Sequence, residues 1–262
     1  MTPYLNSEMV VARFEVSDDH FPPLDSRGEE SHGSFPEISE ISCLLTSFSG
    51  QTCPVSPVSL LAAERSICRL RLDLTEMLRL SLHAVDYATK GYALGLVEFA
   101  LQSSSGRKKL EYLGRTIIAA SHELCEGELD DLQLDFVESA RTISAALSST
   151  CQQANEISSH TVALLRGGIR RNSRELVQLG ECADRLLRLC IVAFMKQKVE
   201  YAEAVLRDID EWKHGIEEKL CGPNFATSET RDAREWAIAE SLTRIMENLR
   251  HISVASLLPY RS

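Results

Sequence analysis

The sequence predicts an all-α fold: two tandem three-helix bundles with a disordered N-terminal extension. Three observations carry that expectation. First, no proline falls between Pro57 and Pro223, and proline costs about 3 kcal/mol inside a helix. Second, apolar residues recur at three-and-four spacing through this span, and few segments alternate at period two, so no sheet is expected. Third, the chain repeats itself. Ala154-Asn155-Glu156-Ile157-Ser158-Ser159-His160 and Ile245-Met246-Glu247-Asn248-Leu249-Arg250-His251 lie about ninety residues apart, each with a Glu four residues before a His. Leu110-Glu111-Tyr112 and Val199-Glu200-Tyr201 repeat in the same way.

Residues 1–56 read as an acidic tail. They hold Pro22-Pro23, Gly28, Gly33, Pro36, Gly50 and Pro54, many serines, and acids from Glu8 to Glu40 against only Arg13 and Arg27. Low hydrophobicity with net charge predicts disorder.

Residues 57–166 are expected to form the first bundle. Ser56-Pro57 has the form of a helix start, with Ser at the cap and Pro in the first turn. A first helix to about Leu101 follows, with Ile67, Leu70, Leu74, Met77, Leu78, Val85 and Ala88 on one face. After the connector Ser103-Ser104-Ser105-Gly106, a second helix covers about 107–125 and Gly127 breaks it. A third covers about 129–165, and Gly167-Gly168 ends it, glycine being the usual residue past a helix C-terminus.

Residues 169–258 are expected to form the second bundle. Asn172-Ser173-Arg174-Glu175 resembles a capping box. The fourth helix carries the stripe Leu176, Leu179, Ala183, Leu186, Cys190 and Ala193. A bend near 195–198 leads to a fifth helix with Tyr201, Val205, Ile209, Trp212 and Ile216, stopped by Cys221-Gly222-Pro223-Asn224. The last covers about 230–258, with Trp236, Ala239, Leu242, Ile245, Met246, Leu249 and Ile252 facing inward, and Pro259 closes it. Short connectors imply antiparallel neighbours, and Trp212 and Trp236 are expected in the core.

Composition excludes several functions. The formal net charge is −10, much of it in the first sixty residues, and no basic face for nucleic acid is evident. Eight cysteines show no C-x-x-C pair, so a cysteine zinc site is not expected and a reducing cytoplasm is. No secretory signal is visible. The longest apolar run, Leu189 to Met195, falls well short of the about twenty residues a membrane span requires. There is no G-x-S-x-G elbow and no phosphate-binding loop. Arg166, Arg170, Arg171 and Arg174 gather at the bundle junction, where they would cap helix ends or meet an acidic partner or a phosphate.

Residues four apart share a helix face, so Glu156 with His160, and Glu247 with His251, can each aim an oxygen and a nitrogen at one ion. A mixed donor set suits iron or zinc better than magnesium. Two ligands are too few, and Asp73, Glu76, Asp86, Glu181 and Asp184 are the acids available to complete a sphere. The simpler alternative is a polar pair worth a few tenths of a kcal/mol on an exposed face.

From about residue 67 to 258 the chain resembles the PhoU family of phosphate-uptake regulators. That family is built from two tandem three-helix bundles, and the third helix of each ends in an acid-x-x-x-acid stretch that binds metal. Glu156 and Glu247 match the first acid, while His160 and His251 replace the second. Lys198-Val199-Glu200-Tyr201-Ala202 through Asp208 and Asp210 looks like the family's acidic second helix. In the first bundle only Glu111-Tyr112-Leu113 survives, with Ala119 where an acid would stand. The resemblance implies a non-enzymatic cytoplasmic regulator. Its expected partners are the ATPase subunit of a phosphate ABC transporter and a phosphate-sensing histidine kinase, with homodimers and without nucleic acid or membrane insertion. Two rivals remain: a helical adaptor with no phosphate link, and a di-iron carboxylate enzyme. The latter is disfavoured because such sites use Glu-x-x-His at three-residue spacing.

Overall fold

The computed structural model describes residues 62–126, 129–168, 173–196, 198–220 and 233–257, with 62–63 and 214–220 described by backbone alone. Among these residues there are helices and turns but no strand. The acidic N-terminal segment, the Ser56-Pro57 cap, Asn172 and Cys221 to Asn224 lie outside the described residues.

Helix α1 spans Ala62–Leu94 and α2 spans Val97–Gln102. The single helix expected to run to about Leu101 is therefore broken. The cause is local: Gly95 adopts φ 64°, a conformation cheap only for glycine, and Leu96 is extended. The chain reverses, and α2 lies so close on α1 that a Cβ at Gly91 would sit 2.8 Å from the Ala100 nitrogen. The Ser103 hydroxyl then bonds that of Ser158 at 2.7 Å, tying the connector to the helix that carries Ser158.

Helix α3 covers Arg107–Cys125 and α4 covers Asp131–Arg166. A capping box starts α4. The Asp130 carboxylate accepts from the Gln133 N–H at 2.7 Å, and the Gln133 side chain accepts from the Asp130 N–H at 3.2 Å, satisfying two otherwise orphaned donors. Helix α4 stops at Gly167, followed by Gly168 at φ 77°, as the Gly-Gly pair predicts.

Helices α5 (Arg174–Lys196), α6 (Val199–Leu220) and α7 (Ala233–Leu257) complete the second triplet. The first backbone bond of α5 goes to the Ser173 carbonyl, and the Ser173 hydroxyl donates to the Glu175 carboxylate.

Four long helices form the interior. Helix α1 runs parallel to α4: Arg71 lies over the Phe136 ring, the Ser144 hydroxyl reaches Met77, and the Ser81 hydroxyl reaches the Leu147 carbonyl. It runs antiparallel to α5, with Thr75 at Met195, Asp86 at Arg188 and Thr89 against Gly180. Helix α4 packs along α7, and α5 also packs on α7. The outer helices are α3, against α1 and α4, and α6, against α5 and α7.

One continuous apolar core runs through both triplets, including Leu74, Met77, Leu147, Ile157, Leu186, Ile245 and Leu249. Burial at roughly 25 cal/mol per Å² makes it the main favourable contribution. Trp212 packs against this core half-buried. Trp236 does not join it: at 42% exposure it stands in the first turn of α7, turned away from the stripe that begins at Ile238. No helix among the described residues is long and apolar enough to cross a membrane.

Candidate functional site

The repeated Glu–His pairs lie on α4 and α7, the helices that pack along each other. Their register follows from two side-chain bonds. Asn248 donates its amide to the Ser149 hydroxyl at 3.0 Å, and Ser241 donates its hydroxyl to Glu156 at 3.4 Å. Moving seven residues forward on α4, from Ser149 to Glu156, moves seven back on α7, from Asn248 to Ser241. The helices are antiparallel, and seven residues is close to two turns.

The same register sets Gln153 across from Arg244. These two are themselves counterparts in the duplication, with the same spacing as Glu156 to Glu247. An approximate twofold axis therefore crosses the seam at Gln153 and Arg244. His160 lies seven residues beyond the axis on one helix, and His251 seven residues beyond it on the other. At 1.5 Å per residue in opposite directions, the two histidines are offset by roughly 20 Å along the helices and the two glutamates by roughly 9 Å. They are two separate places, one in each half.

Their surroundings differ. Glu156 and His160 are half-buried, whereas Glu247 and His251 are exposed. Both carboxylate oxygens of Glu156 already accept hydrogen bonds, one from Gln152 at 3.2 Å and one from Ser241. Among the described residues no group of three or more His, Cys, Asp or Glu stands close enough to hold one ion. Each pair thus offers one oxygen and one nitrogen, against the four donors typical of zinc. An ion at either pair needs further donors from water, a second molecule or side chains outside the described residues.

The five acids named as completing ligands lie on α1 and α5. Glu76 is held by Arg79 at 2.8 Å and Lys109 at 2.5 Å. The Arg79 hydrogen bond and the Lys109 ammonium bring its pKa down to about 2. Burial pushes the Asp73 carboxyl up, against the lowering effect of Arg69. Glu181 is exposed. Asp86 and Asp184 are brought together: Arg188 reaches Asp184 at 2.8 Å and Asp86 at 3.5 Å, while Lys90 binds Asp86 at 3.0 Å. Burial still raises the Asp184 carboxyl, because removal from water outweighs the Arg188 hydrogen bond.

Sequence reasoning missed this cluster, although a signal was present. Asp86-x-x-x-Lys90 and Asp184-x-x-x-Arg188 repeat one acid–base spacing on the first helix of each triplet. It also missed the junction built on Tyr92. The Tyr92 hydroxyl accepts from the Ser173 N–H at 2.9 Å and donates to Glu235 at 3.2 Å, linking the ends of α1, α5 and α7. Glu235 is only 7% exposed and lies in the first turn of α7, where the helix dipole favours an anion.

No family model and no curated protein sequence matches the chain. Solved structures do match it. PhoU from Pseudomonas aeruginosa superposes with a TM-score of 0.62 at 16% identity, over 75% of this chain and 98% of that one. The phosphate transport system regulatory protein PhoU from Streptococcus pneumoniae gives a TM-score of 0.64 at 15% identity, over 76% and 97%. The fold is PhoU-like, as the resemblance in the sequence implied.

Proposed function

We propose that the chain is a cytoplasmic regulator of phosphate uptake and phosphate-responsive signalling. It acts by contact with the ATPase subunit of a phosphate ABC transporter and with a phosphate-sensing histidine kinase, and carries out no chemistry of its own. The observation that supports this reading is the likeness to PhoU proteins over nearly their whole length. Fold alone does not fix function, so the test is physiological. Deleting the gene should leave phosphate-starvation genes expressed in phosphate-replete cells and uncouple importer activity from phosphate supply. Unaltered phosphate control in the deletion strain removes the reading.

Homodimers and iron or zinc at Glu156–His160 and Glu247–His251 belong to the same proposal. Light scattering tests the first. Metal content of the purified protein tests the second: His160→Ala with His251→Ala should lower bound iron or zinc, and unchanged content rules these imidazoles out as ligands.

A further inference from the structure

The outer helices of the two triplets carry opposite charge. Helix α3 opens with Arg107, Lys108 and Lys109 and has no acid in its first turn, although the helix dipole favours acids there. Helix α6 opens with Glu200 instead. On α3, Lys108, Tyr112, Arg115 and Ala119 follow one another at helical spacing, which puts them on one face, and all of them are exposed. Leu110, Leu113 and Ile117 take the other face into the core. Lys108 and Arg115 have no ion-pair or hydrogen-bond partner among the described residues. Beside them Arg107 is held by Glu111, while Arg79 and Lys109 share the single carboxylate of Glu76, so positive charge is left over. Tyr112 is 60% exposed, whereas Tyr201, its counterpart in the duplication, packs against the core. On α6, Glu200, Glu203, Arg207 and Glu211 also share one face and are exposed, with Ala202, Val205 and Ile209 turned inward. These charged groups too have no partner among the described residues, and the neighbouring Asp208 and Asp210 are held by Arg185 and Arg250. Helix α3 packs on α1 and α4, and α6 packs on α5 and α7, so the two stripes lie on opposite flanks with the interior helices between them.

We propose that copies of this chain dock head to tail, the α3 stripe of one copy lying antiparallel on the α6 stripe of the next. In that register Lys108 meets Glu211, Tyr112 meets Arg207, and Arg115 meets Glu203. The unpaired cations of one stripe thereby find unpaired acids of the other. The lone cation of the acidic stripe, Arg207, finds the exposed aromatic ring of the basic one, a cation–π contact. Antiparallel placement also sets the two helix dipoles in their favourable order. Because the stripes lie on opposite flanks, the contact is heterologous. Each added copy leaves one free α3 and one free α6, so copies continue into a ring or an open row. A closed twofold homodimer instead stops at two. Head-to-tail docking depends neither on a role in phosphate control nor on bound metal, so each can fail without the other.

Exposed ion pairs are individually weak, so the association is expected to be weak and sensitive to salt. Sedimentation velocity of the full chain should show mass that rises with concentration past two copies at about 50 mM salt, and about ten-fold weaker association at about 500 mM. Lys108→Glu with Arg115→Glu, and separately Glu203→Lys with Glu211→Lys, should each weaken association about ten-fold while circular dichroism stays unchanged. An equal mixture of the two charge-reversed chains should associate again, because every α3 then meets an α6 of opposite sign. That recovery also separates a lost contact from a lost fold. The proposal is overturned by a monomer at every concentration, by association that salt leaves unchanged, by a species that stops at two copies, by reversed variants that associate as the parent does, or by a mixture that fails to recover.

Discussion

Two seams join the helical triplets, and they are built from different chemistry. The α1–α5 seam is ionic and tight. Arg188 spans Asp86 and Asp184, and Gly180 admits Thr89 so closely that a Cβ there would sit 3.0 Å from its methyl carbon. The α4–α7 seam is neutral for most of its length. Ser149, Asn248 and Ser241 make its bonds, and Glu156 supplies its one bonded carboxylate. On the same helix, the Thr150 hydroxyl and the Gln153 carbonyl oxygen are buried without a hydrogen-bond partner among the described residues. The first seam thus concentrates its energy in a few groups that fail badly if one is removed. The second spreads weaker bonds along two long helices and tolerates loss at any one point.

That contrast orders the effects of mutation. Arg188→Ala should be the most damaging, at about 3 kcal/mol in urea unfolding, because it strands Asp184 in a poorly solvated place. Its cost should shrink on acidification. The raised folded pKa of Asp184 means that its charge opposes folding at neutral pH and that stability returns as pH falls through that pKa. A penalty independent of pH would show that Arg188 acts through packing alone. Gly180→Val should cost about 2 kcal/mol by forcing α1 from α5; a neutral result would mean that this seam is looser than its geometry. On the other seam, Asn248→Ala should cost only about 1 kcal/mol, and a double-mutant cycle with Ser149→Ala should assign most of that to the pair. Smallest is Glu76, in a partly exposed ion cluster. Its stabilisation is present above the ordinary value of 4.5 and is lost as pH falls toward about 2. The gap in melting temperature between the chain and Glu76→Gln should close over that window.

Much of the fold was legible because it rests on short-range pattern. The stripe from Leu176 to Ala193 and the Gly167-Gly168 stop fix helix identity and length locally. The misreadings were local too. Gly95 was passed over because apolar residues continue on both sides of it, yet its positive φ, not hydrophobicity, breaks the helix. Trp236 matches the spacing of an inward stripe, but the stripe begins two residues later, at Ile238. The site was legible only in part. The duplication gave the Glu–His pairs, but their surroundings depend on how two helices from different triplets slide past one another. Ser241 as partner to Glu156, and Asn248 to Ser149, follow from an antiparallel register that no segment encodes by itself. Asp86 and Asp184 needed the same information for the other seam.

The unbroken core has a consequence for how the chain can be divided. Helices α4 and α7 cover each other along most of their length, so cutting between the triplets would strip a long oily flank from each piece. Such halves would not persist as tidy miniature proteins. They would recombine with each other, or cling to copies of themselves, and a gene split near residue 170 should restore a working molecule only when both fragments are made together.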